Sequence, residues 1–236
     1  MSDPMGPPDE EDIGVIETRY QLSQLAADDD LAGREIRGVV GEGLSLANTD
    51  LDAVTMDKVG LPQSDFSAAR LESATLNQVD LRGSRWTGAL WNRVTVRDSD
   101  LTEIDFEDAE IDSCTFGPSR MPRARFVRAR LSSCGFDQSE LYGALFDHAV
   151  ISKCTFTGLG SGLGQGTASM TRVSFKQAAL VEVDFSGANL YSADFTGALL
   201  VRCNLRGVTV CDGIFAGAKL VQCQTDGADT EGAVLS

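Results

Sequence analysis

Two charged runs in the middle of the sequence are the first residues that could do chemistry. Segment 98–112, DSDLTEIDFEDAEID, carries eight acidic side chains in fifteen positions, and segment 120–130, RMPRARFVRAR, carries five arginines in eleven. As separate patches they would attract a basic partner and an anionic partner such as nucleic acid. Whether they are separate depends on how the fold places one run relative to the other.

The six cysteines and the single histidine, His148, are the remaining candidates for metal or nucleophilic chemistry. A zinc site needs clustered Cys and His at spacings such as C-x2-C, and the sequence has neither that motif nor a second histidine. The nucleophile motif G-x-S-x-G and the Walker motif are also absent. The sequence therefore predicts a protein that is not an enzyme and holds no metal or cofactor. Its thiols are expected to be buried, with Cys211 alone facing solvent.

A glycine-rich segment, GLGSGLGQG at 158–166, superficially suggests phosphate binding. It fits neither G-x-G-x-x-G nor G-x-x-x-x-G-K, and no β-α unit surrounds it. We interpret it as a loop that is either a tolerated insertion or a contact for a partner. In the second case Gly160, Gly162 and Gly164 are the candidate contacts.

A five-residue repeat in the sequence predicts the secondary structure that positions these residues. Every fifth residue is large and apolar in two continuous series, 51–156 and, after nine extra residues, 170–220. The residue two positions earlier is Ala, Cys, Ser, Thr, Val or Gly, except at Ile104. A period of five matches neither a helix nor a strand. It predicts a solenoid with five-residue faces, in which large residues fill the interior and small residues sit at the corners.

Segments 186–205, SGANLYSADFTGALLVRCNL, and 66–81, FSAARLESATLNQVDL, resemble the pentapeptide-repeat family. The resemblance implies an all-β fold, a right-handed quadrilateral β-helix solenoid in which four pentapeptides, hence about 20 residues, form each coil. To this the sequence adds one glycine-rich loop insertion and a short N-terminal helical cap.

A coil of this length stacks residues 20 apart at one strand spacing, about 4.8 Å. One resulting column is purely aromatic: Phe66, Trp86, Phe106, Phe126 and Phe146. Acids of the first charged run also fall 20 residues before arginines of the second: Asp100 and Arg120, Glu103 and Arg123, Asp105 and Arg125, Asp108 and Arg128, Glu110 and Arg130. We therefore interpret the two runs as one ladder of ion pairs between coils, and not as two binding patches.

Five segments follow from this pattern. They are an acidic disordered tail at 1–12, an N-terminal cap and lead-in to the first coil at 13–45, a solenoid segment at 46–156, the glycine-rich loop at 157–169 and a second solenoid segment at 170–236. In the cap, a short helix with Ile16, Tyr20, Leu22 and Leu25 on one side is expected to cover the first coil. The start of the chain lacks signal-peptide features and no apolar run is long enough to span a membrane, which predicts a cytoplasmic protein without membrane contact.

The net charge of the protein and its resemblance to the pentapeptide-repeat family limit the functions to be considered. A net charge of −15 argues against direct binding to nucleic acid. One branch of the family consists of acidic rods that mimic duplex DNA and bind DNA gyrase or topoisomerase IV, and the tryptophan centres of RWTGALW, 85–91, look like a feature of that branch. The resemblance implies a non-catalytic DNA mimic that inhibits a type II topoisomerase or protects it from inhibitors. The alternative is a general protein-interaction or spacer rod.

Candidate contacts for such a partner are the acids Asp80, Asp98 and Asp112, which the 20-residue register leaves without an obvious cation. The resemblance also implies a homodimer formed through the C-terminal coils. Here the last interior positions are Thr225 and Thr230, and this polar ending puts that dimer in doubt.

Overall fold

The fold is a parallel β-solenoid of about ten turns, with one short helix among the described residues, which confirms the predicted all-β architecture. The computed structural model describes residues 14–28, 31–157 and 169–234. The predicted disordered tail at 1–12 and the glycine-rich segment from residue 158 to residue 168 lie outside these ranges.

The described chain begins with strand β1 (Val15–Ile16) and helix α1 (Arg19–Ala27). All later elements are strands of two or three residues, one on a face of the solenoid. They are β2 (Glu35–Arg37), β3 (Thr55–Asp57), β4 (Arg70–Glu72), β5 (Thr75–Asn77), β6 (Leu90–Asn92), β7 (Thr95–Arg97), β8 (Glu110–Asp112), β9 (Thr115–Phe116), β10 (Arg130–Ser132), β11 (Val150–Ser152), β12 (Ala179–Val181), β13 (Leu199–Val201) and β14 (Lys219–Val221).

Each coil passes through four faces, which we number by the interior residues of one coil: Met56 on the first face, Leu61 on the second, Phe66 on the third and Leu71 on the fourth. The first face carries the sheet β1-β2-β3-β5-β7-β9, and the fourth carries β4-β6-β8-β10-β11-β12-β13-β14. The second and third faces are joined by isolated bridges, such as Asp80 with Asp100 and Asp65 with Arg85. The second and fourth faces therefore lie on opposite sides of the rod.

Parallel pairing sets the register at 20 residues. Met56 pairs with Leu76, and Leu131 pairs with Ile151. Across the glycine-rich segment the offset is 29, as in the pair Val150 and Ala179, so that segment adds nine residues to one coil without disturbing the stack. The same five-residue burial pattern already begins at Leu31, within the segment that the sequence assigned to the cap and lead-in.

The core is a stack of aromatic rings. The predicted column is present, with Phe126 and Phe146 stacked at 4.7 Å between ring centroids. A second column on the first face contains Phe116, Phe136, Phe156 and Phe185. The two columns meet edge to face, for example Phe126 and Phe136 at 5.8 Å and 89°. Both arrangements suit the quadrupole of the rings, so the columns stabilise stacking along the rod and across it.

The two ends of the solenoid differ. At the N-terminal end, α1 begins with a capping box between Thr18 and Gln21 and buries Leu22 completely. Tyr20, expected on the covering side, is instead 74% exposed, because α1 turns Leu22 and Leu25 toward the core. At the other end an open cavity of about 280 Å³ is lined mainly by apolar side chains, including Phe215 and Leu220. This end is thus less polar than its threonines suggested.

The corners of the solenoid hold the backbone in a costly conformation. In the turn after Phe66, Ala69 N–H donates to the Phe66 carbonyl at 3.0 Å, and Ala68 has φ of +56°. The equivalent residue of other coils is also left-handed, often with a side chain, as at Ala53 and Arg128. The left-handed region costs an L-residue about 1–2 kcal/mol. Stacking of each corner on its neighbours must offset that cost.

We predict that Ala68→Gly stabilises the protein, although glycine usually destabilises a fold. Relief of the left-handed strain should exceed the extra entropy of the unfolded chain and raise the free energy of unfolding by about 0.5–1 kcal/mol. Ala69→Gly is the matched control, because Ala69 is buried with an ordinary φ and should lose about 1 kcal/mol. Urea denaturation measures both. Destabilisation by Ala68→Gly as large as that of the control would contradict the strain assignment.

Candidate functional site

The charged runs form one network on the surface of the rod. Four of the five predicted pairs are in contact: Arg120 with Asp100 at 3.7 Å, Arg123 with Glu103 at 2.6 Å, Arg125 with Asp105 at 3.5 Å, and Arg128 with Asp108 at 2.8 Å. Arg130 and Glu110 are in register on the fourth face, yet no ion pair joins them in the described part of the chain. The runs therefore neutralise each other in the middle of the solenoid and leave no separate basic patch there.

Glu107 connects two of these ion pairs. The 20-residue spacing in the sequence did not predict this connection. Its carboxylate lies 3.0 Å from Arg125 Nη2 and 2.5 Å from Arg128 Nη2. The hydrogen bond from Arg125, followed by that from Arg128, lowers the pKa of Glu107, and Arg128 lowers the pKa of Asp108. A carboxyl whose pKa is lower in the folded state stabilises the fold at pH values above its unfolded pKa. That contribution disappears as the pH falls through the folded pKa.

Charge reversal tests the ladder. Arg125→Glu should bring a third carboxylate beside Asp105 and Glu107 and lower the free energy of unfolding by about 1 kcal/mol at neutral pH. Adding Asp105→Arg should restore part of the loss, since the opposite charges face each other again. Arg97→Glu on the first face is the control, because no ion pair of Arg97 is present among the described residues. Strictly additive shifts in thermal melting for the double variant would show that Asp105 and Arg125 do not stabilise each other.

The structure does not bring the predicted contact acids together. Asp80 lies on the second face and forms a two-point ion pair with Arg82, at 2.8 and 2.6 Å, which lowers the pKa of Asp80. Asp98 lies at the corner after the first face, with φ of +50°. Asp112 lies in β8 on the fourth face, where Ser113 Oγ donates to it at 3.0 Å. Asp112 therefore lies on the side of the rod opposite Asp80, and Asp98 lies at the edge between the first and second faces.

Gly160, Gly162 and Gly164, the other predicted contacts, lie outside the described residues. The chain leaves the solenoid after Phe156 on the first face and rejoins it at Met170 on the second.

A column of thiols lies at the corner before the first face. Cys114, Cys134 and Cys154 are buried one above another, and Cys154 Sγ accepts from Cys134 N–H at 3.4 Å. Contact with Cys134 and burial raise the pKa of Cys114 and Cys154, so these thiols stay protonated near neutral pH. Burial likewise raises the pKa of Cys203 to about 11. Within the described ranges no cluster of three His, Cys, Asp or Glu side chains could hold a metal ion.

Cys223 is less buried than its place in the repeat suggested. It and Cys211 are both partly exposed, and Cys223 belongs to the last coil that the structure describes. Burial and a contact with Asp229 raise the pKa of Cys211, which makes it a slow nucleophile despite its exposure.

Thiol titration should therefore separate two groups. We expect Cys211 and Cys223 to react with an aromatic disulfide reagent in the native protein, and the other four cysteines to react only after unfolding. The measurement is the number of thiols released at pH 8 with and without denaturant. Fast native labelling of all six, or of none, would contradict the burial assigned to this column.

Sequence reasoning missed one exposed surface. Outward positions on the C-terminal part of the fourth face are mostly aliphatic, whereas exposed aliphatic residues elsewhere, such as Val40 and Leu90, are scattered. Those on the fourth face include Val150, Leu199 and Val221, which are 43%, 39% and 45% exposed. The signal was present in the sequence as apolar residues directly before and after the interior position, where β4 and β8 carry only charged residues.

The family model for pentapeptide repeats matches residues 168–207 in eight copies. No curated protein matches the chain. No helix among the described residues is long and apolar enough to cross a membrane.

Several solved structures resemble the fold. One is a trypsin-treated variant of QnrB1, a plasmid-mediated fluoroquinolone resistance protein, with 16% identity, coverage of 88% of each chain and a TM-score of 0.42. Another is HetL, a pentapeptide-repeat protein involved in heterocyst differentiation regulation in the cyanobacterium Nostoc sp. strain PCC 7120. HetL is 18% identical, the alignment covers 92% of this chain and 96% of that chain, and the TM-score is 0.36.

Proposed function

We propose that this pentapeptide-repeat protein is a non-catalytic binding rod whose partner is a protein. The observation that carries the proposal is the regular array of outward side chains on four faces. Each array repeats once per coil, at about 4.8 Å, over about ten turns. Solenoids of this kind offer long rigid surfaces on which side chains can be matched to an extended partner.

For the partner we propose a type II topoisomerase, DNA gyrase or topoisomerase IV, bound through its DNA-binding groove. A net charge of −15 supports attraction to a basic groove and argues against direct contact with nucleic acid. The rod is about 48 Å long if its roughly ten turns are each about 4.8 Å high, which is comparable to a short duplex. Such a partner requires the protein to be in the cytoplasm.

The charge density of the solenoid limits which part of its surface could mimic duplex DNA. Duplex DNA of that length carries on the order of 28 phosphates, at one charge per about 1.7 Å. The solenoid carries far less net charge, because the ladder between 98 and 130 pairs acids with arginines. A whole-rod mimic of DNA is therefore too weakly charged, and a mimic must use one face.

The second face is the best candidate for that role. Near its C-terminal end, Asp212, Asp229 and Glu231 are exposed, and none has an ion pair within the described part of the chain. Asp212 instead accepts a hydrogen bond from the Tyr191 hydroxyl at 2.7 Å, which leaves its charge in place. Toward the middle of the rod the same face adds Asp80, Asp100 and Glu140. Arg82 and Arg120 reduce the charge of that middle part.

A supercoiling assay tests the topoisomerase proposal. Micromolar protein should inhibit DNA supercoiling by a bacterial gyrase or relieve cleavage stabilised by a quinolone. Binding should weaken steeply between about 50 and 200 mM salt, because recognition of a basic groove is electrostatic. Neutralising Asp212, Asp229 and Glu231 as Asn, Asn and Gln should weaken the effect about tenfold.

The control is Asp112→Asn on the opposite face, which should leave the effect unchanged. Thermal melting confirms that both variants fold. Absence of binding and of protection with several gyrases and topoisomerase IV enzymes at low salt would overturn the topoisomerase proposal. The general interaction rod would then stand, and the paired charges of the ladder already suit such a scaffold.

A further inference from the structure

The fourth face changes character along its length. From β4 to β8 its outward residues are mostly charged or polar, including Glu72, Glu110 and Asp112. From β11 onward six of the eight outward residues are aliphatic and lie in two columns, and the other two are Ser152 and Lys219. One column contains Val150, Ala179 and Leu199, and the other contains Val181, Val201 and Val221. We call these six residues the fourth-face patch.

The fourth-face patch is a flat sheet face with satisfied backbone groups. Strands β11, β12 and β13 are each paired on both sides, so the main chain there offers no free edge to another strand. A ligand must therefore bind through side chains. The patch is continuous, because its members are in register in neighbouring strands.

The rim of the patch is basic, in contrast with the acidic protein as a whole. Arg130, Lys153 and Lys219 lie on this face, exposed, and none of them has an ion pair among the residues that the structure describes. The fourth cation, Arg202, contacts Glu182 at 2.6 Å. This part of the fourth face therefore has a positive surplus in a chain whose net charge is −15. Apolar centre and basic rim together favour an acidic, amphipathic ligand.

The dimensions favour a helix. From β10 to β14 the face advances by four strand spacings, about 19 Å. An α-helix of about 12 residues is about 18 Å long and presents an apolar stripe on one side. An anionic membrane is disfavoured, because the other faces and the N-terminal segment would be repelled from it. Nucleic acid is disfavoured because branched aliphatic side chains give bases no aromatic surface on which to stack.

We infer that the fourth-face patch is a docking site for an amphipathic helix of another protein, with leucine-like side chains on one side and carboxylates flanking them. The site is independent of the proposed topoisomerase contact, since it lies on the opposite side of the rod from the second face. The protein would then hold two partners on opposite faces.

A defined peptide tests the inference. The probe is a fluorescein-labelled helical peptide of about 16 residues, with leucines at helical spacing and glutamates beside them. Fluorescence anisotropy should show saturable binding to the full-length protein, with a Kd on the order of 10–100 μM. The matched peptide with lysines in place of the glutamates should bind at least about tenfold more weakly.

Two variants locate the site. Leu199→Ser with Val201→Ser should weaken binding at least about tenfold, because Leu199 is exposed and Val201 half-buried in the centre of the patch. Lys153→Glu with Lys219→Glu should weaken it several-fold and reduce its salt dependence. Tyr191→Ser, on the second face, is the control and should bind the peptide like the wild type. Melting curves check that each variant is folded.

Several results would overturn the inference. Equal binding of the glutamate and lysine peptides, or no binding up to about 1 mM, would show that the patch does not bind an acidic amphipathic helix. Tighter binding to vesicles containing phosphatidylglycerol than to the peptide would assign the patch to membranes. If sedimentation showed a wild-type dimer that Leu199→Ser with Val201→Ser converts to a monomer, the patch would be an interface between two copies of this chain. None of these outcomes depends on gyrase, so the inference can fail while the topoisomerase proposal stands.

Discussion

The structure depends on one constraint, the stacking of each residue on the residue one coil away. The interior side chains, the corners and the surface charges all obey it. Rings stack on rings in the core at distances such as 4.8 Å between Phe116 and Phe136. Backbone amides of one coil donate to carbonyls of the next, as Phe136 N–H does to Thr155. Because these contacts repeat, left-handed corners that would be unfavourable singly are held in place throughout the rod.

Much of this could be predicted from the sequence, because a solenoid converts residue number into position. The period of five gave the interior residues, and the offset of 20 gave the aromatic column and four ion pairs of the ladder. The contacts that long side chains make could not be predicted from residue numbers alone. Glu107 contacts two arginines by reaching diagonally, at 18 and 21 residues, while Glu110 and Arg130 are in register without forming an ion pair.

The candidate site was harder to predict than the fold, for a physical reason. Assigning Asp80, Asp98 and Asp112 to one contact required their positions around the rod as well as along it. Asp80 also pairs with Arg82, two residues away, which a search at offset 20 does not consider. The fourth-face patch was missed because an outward apolar residue is unremarkable in one coil. It becomes a surface only when Val150, Leu199 and their neighbours stack.

The same stacking explains how one short repeat can carry different functions on different sides. Outward positions contribute little to the core, so each face can vary in charge and hydropathy while the rod remains unchanged. Here the ladder neutralises the middle of the rod, the second face keeps exposed acids near its C-terminal end, and the opposite face is aliphatic and basic. We therefore expect each binding surface to occupy one face of the solenoid and not one continuous segment of the sequence.

The direct test of this account is the free energy of unfolding of two deletion variants. Deleting residues 51–70 removes one whole coil and returns every later residue to an equivalent column. Deleting residues 51–65 preserves the period of five but shifts one part of the rod by one face, so that rings stack on unmatched side chains. The account predicts that the first deletion unfolds cooperatively with a small loss of stability, and that the second loses much more although it removes fewer residues. Equal stability of the two variants in urea would contradict the claim that stacking at 20 residues holds the protein together.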